Sequence, residues 1–156
     1  MQRIALLLPL GLTAGALVGL IAGGLVFEEL TQTYLESFGK DWRDRAPFKL
    51  SYAAANPEPF IAQGRRKLVF LAGVLPSEST LGYDGVGGAL LDRVNGVEIK
   101  DIKDLDTALQ SPKDGIHVFE LDEVPYKLYL DAKQAQQDNE VLLPQRYRIR
   151  ELKRLE

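Results

Sequence analysis

One stretch in the second half of the chain, Ala89 to Gln110 (ALLDRVNGVEIKDIKDLDTALQ), most constrains what the polypeptide can fold into. It opens on the apolar run Ala89-Leu90-Leu91 and reaches Asn95-Gly96, the dipeptide that most readily takes the two positive-φ positions of a type I′ turn. Val97 and Ile99 then alternate with Glu98 and Lys100, as in a short returning strand. Asp101 is placed to cap a helix, whose apolar positions Ile102, Leu105 and Leu109 recur at i, i+3 and i+7. Strand, tight turn, strand stub and short amphipathic helix therefore follow one another within a span of 22 residues.

The chain holds 156 residues, 46% hydrophobic and 26% charged, enough for one domain with a modest core and accessory segments. A formal charge of -3 gives no reason to expect nucleic acid as a partner. The basic stretch Arg146 to Arg154 reads as a solvated segment. Cysteine is absent, which excludes disulfides, thiolate nucleophiles and cysteine metal sites, and leaves the redox compartment open.

The N-terminal run from Ile4 to Phe27 carries no charge and follows a single basic residue, Arg3. Its length suits a bilayer-crossing helix. Gly11, Gly15 and Gly19 stand at i, i+4 and i+8, a small-residue face compatible with membrane packing. The same run also suits a buried strand with a glycine-rich loop. The membrane or export alternative is favoured for residues 4–20, with a change of character near Ile21, so the cell envelope is favoured over the cytoplasm.

Further along, Glu28 to Phe38 reads as an amphipathic helix with Leu30, Tyr34, Leu35 and Phe38 on one side and Gly39 as its C-cap. Residues 40–67, with Pro47, Pro57 and Pro59, read as a long connection with one short strand near Phe48 to Tyr52, anchored by Trp42. Leu68 to Leu75 suits a central strand. Ile116 to Leu121 and Tyr126 to Leu130 form a hairpin whose second arm enters behind Pro125 and so belongs at a sheet edge. Asp131 caps a polar helix from Ala132 to about Asn139, and Pro144 opens the basic segment.

The chemical inventory argues against catalysis. His117 is the only histidine, and its neighbours Ile116, Val118 and Phe119 make it a strand residue with a structural role. No nucleophile elbow, phosphate-binding loop or histidine metal spacing is present, and no cofactor is expected. The acidic pairs Glu28-Glu29 and Asp122-Glu123 are accounted for by a helix start and a hairpin turn.

Two blocks resemble a known family. One is Lys67 to Leu109, with Val74-Leu75-Pro76-Ser77, a glycine-bearing turn region, Val94-Asn95-Gly96 and the helix bearing Leu105 and Leu109. The other is Gly23 to Leu50, with Gly-Gly-Leu-Val-Phe, Tyr34-Leu35, Gly39, Trp42 and Ala46-Pro47. In this order they resemble the PDZ-type domain that follows the protease domain in Deg/HtrA-family serine proteases. The resemblance implies an α+β fold, a small partly open β-barrel or sandwich flanked by two or three short helices. Residues 21–134 would form the domain, after an apolar segment 1–20 and before a polar, basic tail 135–156.

It also implies a non-catalytic peptide-binding or regulatory module of a protein quality-control protease, since nothing here matches the family's protease domain. In such a module an extended peptide adds as a strand to a sheet edge beside a helix, and backbone N–H groups of a glycine loop hold its carboxylate. By this resemblance Ala22, Gly23 and Gly24 would form the loop, Leu25, Val26 and Phe27 the accepting edge, and Leu105 and Ala108 the groove-facing helix positions. Val26 stands where the family's loop places a glycine. The implied partners are protein C-termini or extended segments, a Deg-like protease domain or identical subunits. An assembly domain with a vestigial groove, or a membrane-tethered scaffold, are the alternatives.

Overall fold

The computed structural model describes residues 18–156. Eight strands form two antiparallel four-stranded sheets. The first contains β1 (Gly19–Ala22), β2 (Leu25–Glu29), β3 (Val69–Val74) and β8 (Lys153–Arg154), in the order β3-β2-β1-β8. The second contains β4 (Leu91–Val94), β5 (Val97–Glu98), β6 (Ile116–Leu121) and β7 (Lys127–Asp131), in the order β5-β4-β6-β7. The two layers and their short helices make the α+β, PDZ-like fold that the sequence leads one to expect. β7 lies at an edge, as Pro125 requires.

The main core lies between the sheets and includes Leu25, Phe27, Leu71, Leu91, Phe119 and Leu128. Phe27 of one sheet stacks on Phe119 of the other, with ring centroids 5.4 Å apart. The first sheet is covered on its other face as well. Ile21, Val26 and Leu75 pack there against Leu143 and Ile149. Phe70 packs against Leu35, Trp42 and Leu50. A strand buried on both faces needs no polar alternation, which is why LVF in β2 reads as a continuous apolar run.

Helices cover much of the rest, and the sequence underestimates their number. α1 (Gln32–Glu36), α2 (Trp42–Arg45), α3 (Phe48–Ala55) and α4 (Glu58–Ala62) fall in the first half; α5 (Ile102–Ala108) follows the Asn-Gly turn. After β7 come α6 (Ala132–Gln137), a π-helical turn (Asp138–Leu142) and α7 (Leu143–Arg146).

Four expectations are corrected. The helix expected from Glu28 to Phe38 is only α1, capped by Thr31, because Glu28 and Glu29 extend β2 and are buried there. Residues 40–67 hold three helices rather than a loop and a strand. Leu50 and Ala53 turn inward while Phe48 (76% exposed) and Tyr52 (58%) turn outward, a helical rather than a two-residue period. Residues 135–156 are not a tail: Leu143 and Ile149 pack on the first sheet and β8 joins it. Of the run 4–20, residues 1–17 lie outside the described residues, and Gly19 and Leu20 belong to a strand rather than a helix. Among the described residues no helix is long and apolar enough to cross a membrane.

Candidate functional site

The site is assembled around α5, and both ends of this helix are held. At its start the Asp101 carboxylate accepts the Asp104 N–H at 2.9 Å, and Glu29 of β2 accepts the Ile102 N–H at 3.1 Å. At its end the Asn95 amide donates to the Ala108 carbonyl at 3.0 Å. Asn95 (φ 52°) and Gly96 (φ 81°) both take the positive-φ geometry of the expected turn. The turn thus carries a side chain that ties the helix to the second sheet.

The same amide donates to His117 Nδ1 at 3.1 Å, while Asn95 Oδ1 accepts the Val118 N–H at 2.9 Å. This arrangement makes His117 Nδ1 an acceptor and leaves the proton on Nε2. Burial lowers the histidine's pKa from its ordinary value. Burial raises that of Glu29, against the opposing effect of the Ile102 N–H. Both side chains are committed to structure. Among the described residues no cluster of three or more His, Asp or Glu is placed to hold a metal.

α5 packs against β1, and β1 pairs along β2 in the register Gly19 with Glu28 through Ala22 with Leu25. The arrangement is that of a peptide added between a sheet edge and a helix. Here the added strand is the chain's own. Leu20 and Ala22 of β1 enter the main core together with Leu105 and Ala108 of α5. β2 is paired on its far side by β3, so Leu25, Val26 and Phe27 are interior to the sheet and do not form an open edge. Val26 faces the outer cluster, away from α5.

The expected carboxylate loop, Ala22 to Gly24, has internal partners in the same way. Ala22 closes β1, and Gly23-Gly24 is the two-residue turn of the β1–β2 hairpin, with φ of 61° and 113°. The Gly23 N–H donates to Asn139 Oδ1 at 2.7 Å, and the Gly23 carbonyl accepts from Ser77 Oγ at 2.5 Å. Gly24 accepts the Leu75 N–H at 2.7 Å. Asp138, next to Asn139, accepts from both the N–H and the hydroxyl of Ser79. Asn139 thus takes up the Gly23 N–H expected for a carboxylate. The sequence carries a signal for this hairpin: Gly-Gly between two short apolar runs, Gly19–Ala22 and Leu25–Phe27. Asn139 has no such local signal, since it reaches the turn from more than 100 residues away, and its neighbour Asp138 is held by Ser79 from nearly 60 residues away.

A second layer lies outside the first. Gly19 pairs with Arg154 and Leu20 with Lys153, both antiparallel, and the Ile21 N–H donates to the Leu152 carbonyl at 2.7 Å. Lys153 stands opposite Leu20, on the side of α5, and reaches Asp106 at 3.1 Å. Leu155 packs against the main core, and Glu156 meets Lys103 at 2.7 Å. None of Lys153, Leu155, Lys103 and Asp106 was expected at the site.

Two antiparallel four-stranded sheets, with a short helix packed beside strand β1 of the first, define the architecture of a small α+β interaction module. The family model of the PDZ domain matches residues 19–153. The chain belongs to the PDZ-domain family, whose members are non-catalytic modules that bind peptides and proteins. A comparison with curated proteins gives no match.

Proposed function

We propose that this PDZ domain is a regulatory or assembly module of a Deg-like serine protease, with its peptide groove closed by its own strand β1. The observation that carries the closed groove is the pairing of β2 on both sides, by β1 and by β3. Leu20, Ile21 and Ala22 are all at most 5% exposed, so displacing β1 would expose three apolar residues and a row of unpaired backbone groups. The Deg-like context is supported by the order of the two sequence blocks, Gly23 to Leu50 and Lys67 to Leu109.

The test uses peptides ending in an apolar residue with a free carboxylate, and the same peptides amidated, titrated against the chain by fluorescence anisotropy. Neither form binds saturably up to about 1 mM, the range of weak recognition. Saturable binding of the acid form that amidation weakens would show an open carboxylate site and defeat the closed-groove reading. The protease context is checked separately: the reading frame upstream of Met1 should encode a serine protease domain.

A further inference from the structure

The strand that closes the groove has an outer edge, and that edge is covered by a much looser segment. Ile149 is 8% exposed and anchors the chain in the outer apolar cluster. Beyond it, residues 150–156 contain no buried residue. Their hold on β1 consists of two ladder positions, the hydrogen bond from the Ile21 N–H to Leu152, and the half-buried Leu152 side chain against the outer cluster that includes Ile21. Their hold on α5 is the half-buried Leu155 and the pairs Lys153–Asp106 and Lys103–Glu156. In both pairs the lysine is more than half exposed, a setting in which ion pairs add little to stability. A few surface contacts of this kind place a segment at the low end of local opening free energies.

We infer that the outer edge of β1, together with Asp106 and Lys103 of α5, is a second strand-addition site, and that residues 152–156 are its resident occupant, exchangeable for a segment of a partner protein. The occupant defines the partner's chemistry. Antiparallel pairing to Gly19–Ile21 supplies the main-chain bonds, and alternate side chains then face α5. A basic residue meets Asp106, an apolar residue two positions on fills the place of Leu155, and an acidic residue after it meets Lys103. The partner is thus an extended segment of the pattern basic-x-apolar-acidic, internal to its own chain, with no terminal carboxylate required. This site needs β1 seated, so it rests on the closed groove proposed above.

The probe is an octapeptide with the sequence of residues 149–156, acetylated and amidated so that it carries no terminal carboxylate. It is titrated against the full chain and against a released form, Lys153→Glu with Leu155→Asp, which keeps the Ile149 and Leu143 anchors. Release raises affinity by at least about tenfold, because the resident segment no longer competes. Adding Asp106→Ala to the released form reduces that gain, and a scrambled octapeptide does not bind. Equal affinity for the native and released chains, or no binding to a released chain of native circular dichroism, would overturn the assignment. So would a native dimer that dissociates in the released form, since a second copy would then supply the strand. If the released form does not fold, hydrogen exchange on the native chain decides: the Ile21 amide exchanges well ahead of the Leu71 amide, whereas equal protection would mean the segment does not open. Because the probe has no terminal carboxylate, this result is separate from the C-terminal peptide test.

Discussion

Glu28 shows how a residue's role is decided by what surrounds it. Its carboxyl is buried in β2 near Tyr34, and burial pushes its pKa from the ordinary 4.5 up to about 7. The Tyr34 phenol is pushed up to about 12 by burial and by the charge of Glu28. For an acid whose folded pKa is raised, the unfolded chain ionises first as pH rises. Stability is therefore full below about pH 4.5, falls through the window up to about 7, and is lower above it, by about 3 kcal/mol. Glu28→Gln should flatten that fall: in urea denaturation the variant gains on the parent at pH 8 and matches it near pH 4.5. An unchanged difference across this range would show that Glu28 does not titrate in the window. His117, lowered by burial, works in the opposite direction, and its contribution is lost as pH drops below about 6.5. The pair Glu28-Glu29 invites assignment to a helix start because carboxylates favour helix N-termini. What fixes it in a strand, the pairing of Glu28 with Gly19 and Phe70, is invisible in the local sequence.

Among the elements, the β1–β2 hairpin carries the site, and its turn tolerates little. A Cβ on Gly24 would stand 2.5 Å from the Leu75 carbonyl oxygen at a φ of +113°. Gly24→Ala should cost about 2–4 kcal/mol, combining backbone strain with a clash that the Leu75 N–H bond prevents from relaxing. Gly82 is the control: its φ is +88°, but a Cβ there meets nothing within 4 Å. Gly82→Ala should cost only about 1 kcal/mol, from backbone conformation alone. Equal losses in chemical denaturation would remove the close contact from the explanation. The Asn95-Gly96 turn and α5 are legible from sequence because their signals are local: a turn dipeptide, a cap and an apolar period within 22 residues. The helices of residues 40–67 are not, because their prolines occupy starts and connections that read as loop signals. Pro47 precedes α3, and Pro57 and Pro59 flank the first residue of α4.

At the scale of the whole molecule, the first sheet is shared by three apolar clusters, so its two faces should not come apart separately. Phe119 lies in the main core, and Trp42 lies in the cluster on the far face. Phe119→Ala should cost about 3–5 kcal/mol, and Trp42 fluorescence and far-UV circular dichroism should still report one coincident transition. Two separated transitions would mean that the helical layer of α1–α4 unfolds on its own. The sequence by itself determined what depends on neighbours along the chain: the Asn-Gly turn, the capped helix, the β6–β7 hairpin and the absence of catalytic motifs. The apolar run up to Ala22 has the composition of a membrane segment, a signal or a buried strand alike, because burial by lipid and burial by protein call for the same side chains. Only the tertiary structure decided that Gly19–Ala22 is a strand lodged beside α5, and that residues 152–156 lie along its outer edge. Both outcomes rest on main-chain hydrogen bonds, which every residue but proline offers alike. Which strand fills a groove is therefore set by what the fold brings alongside it.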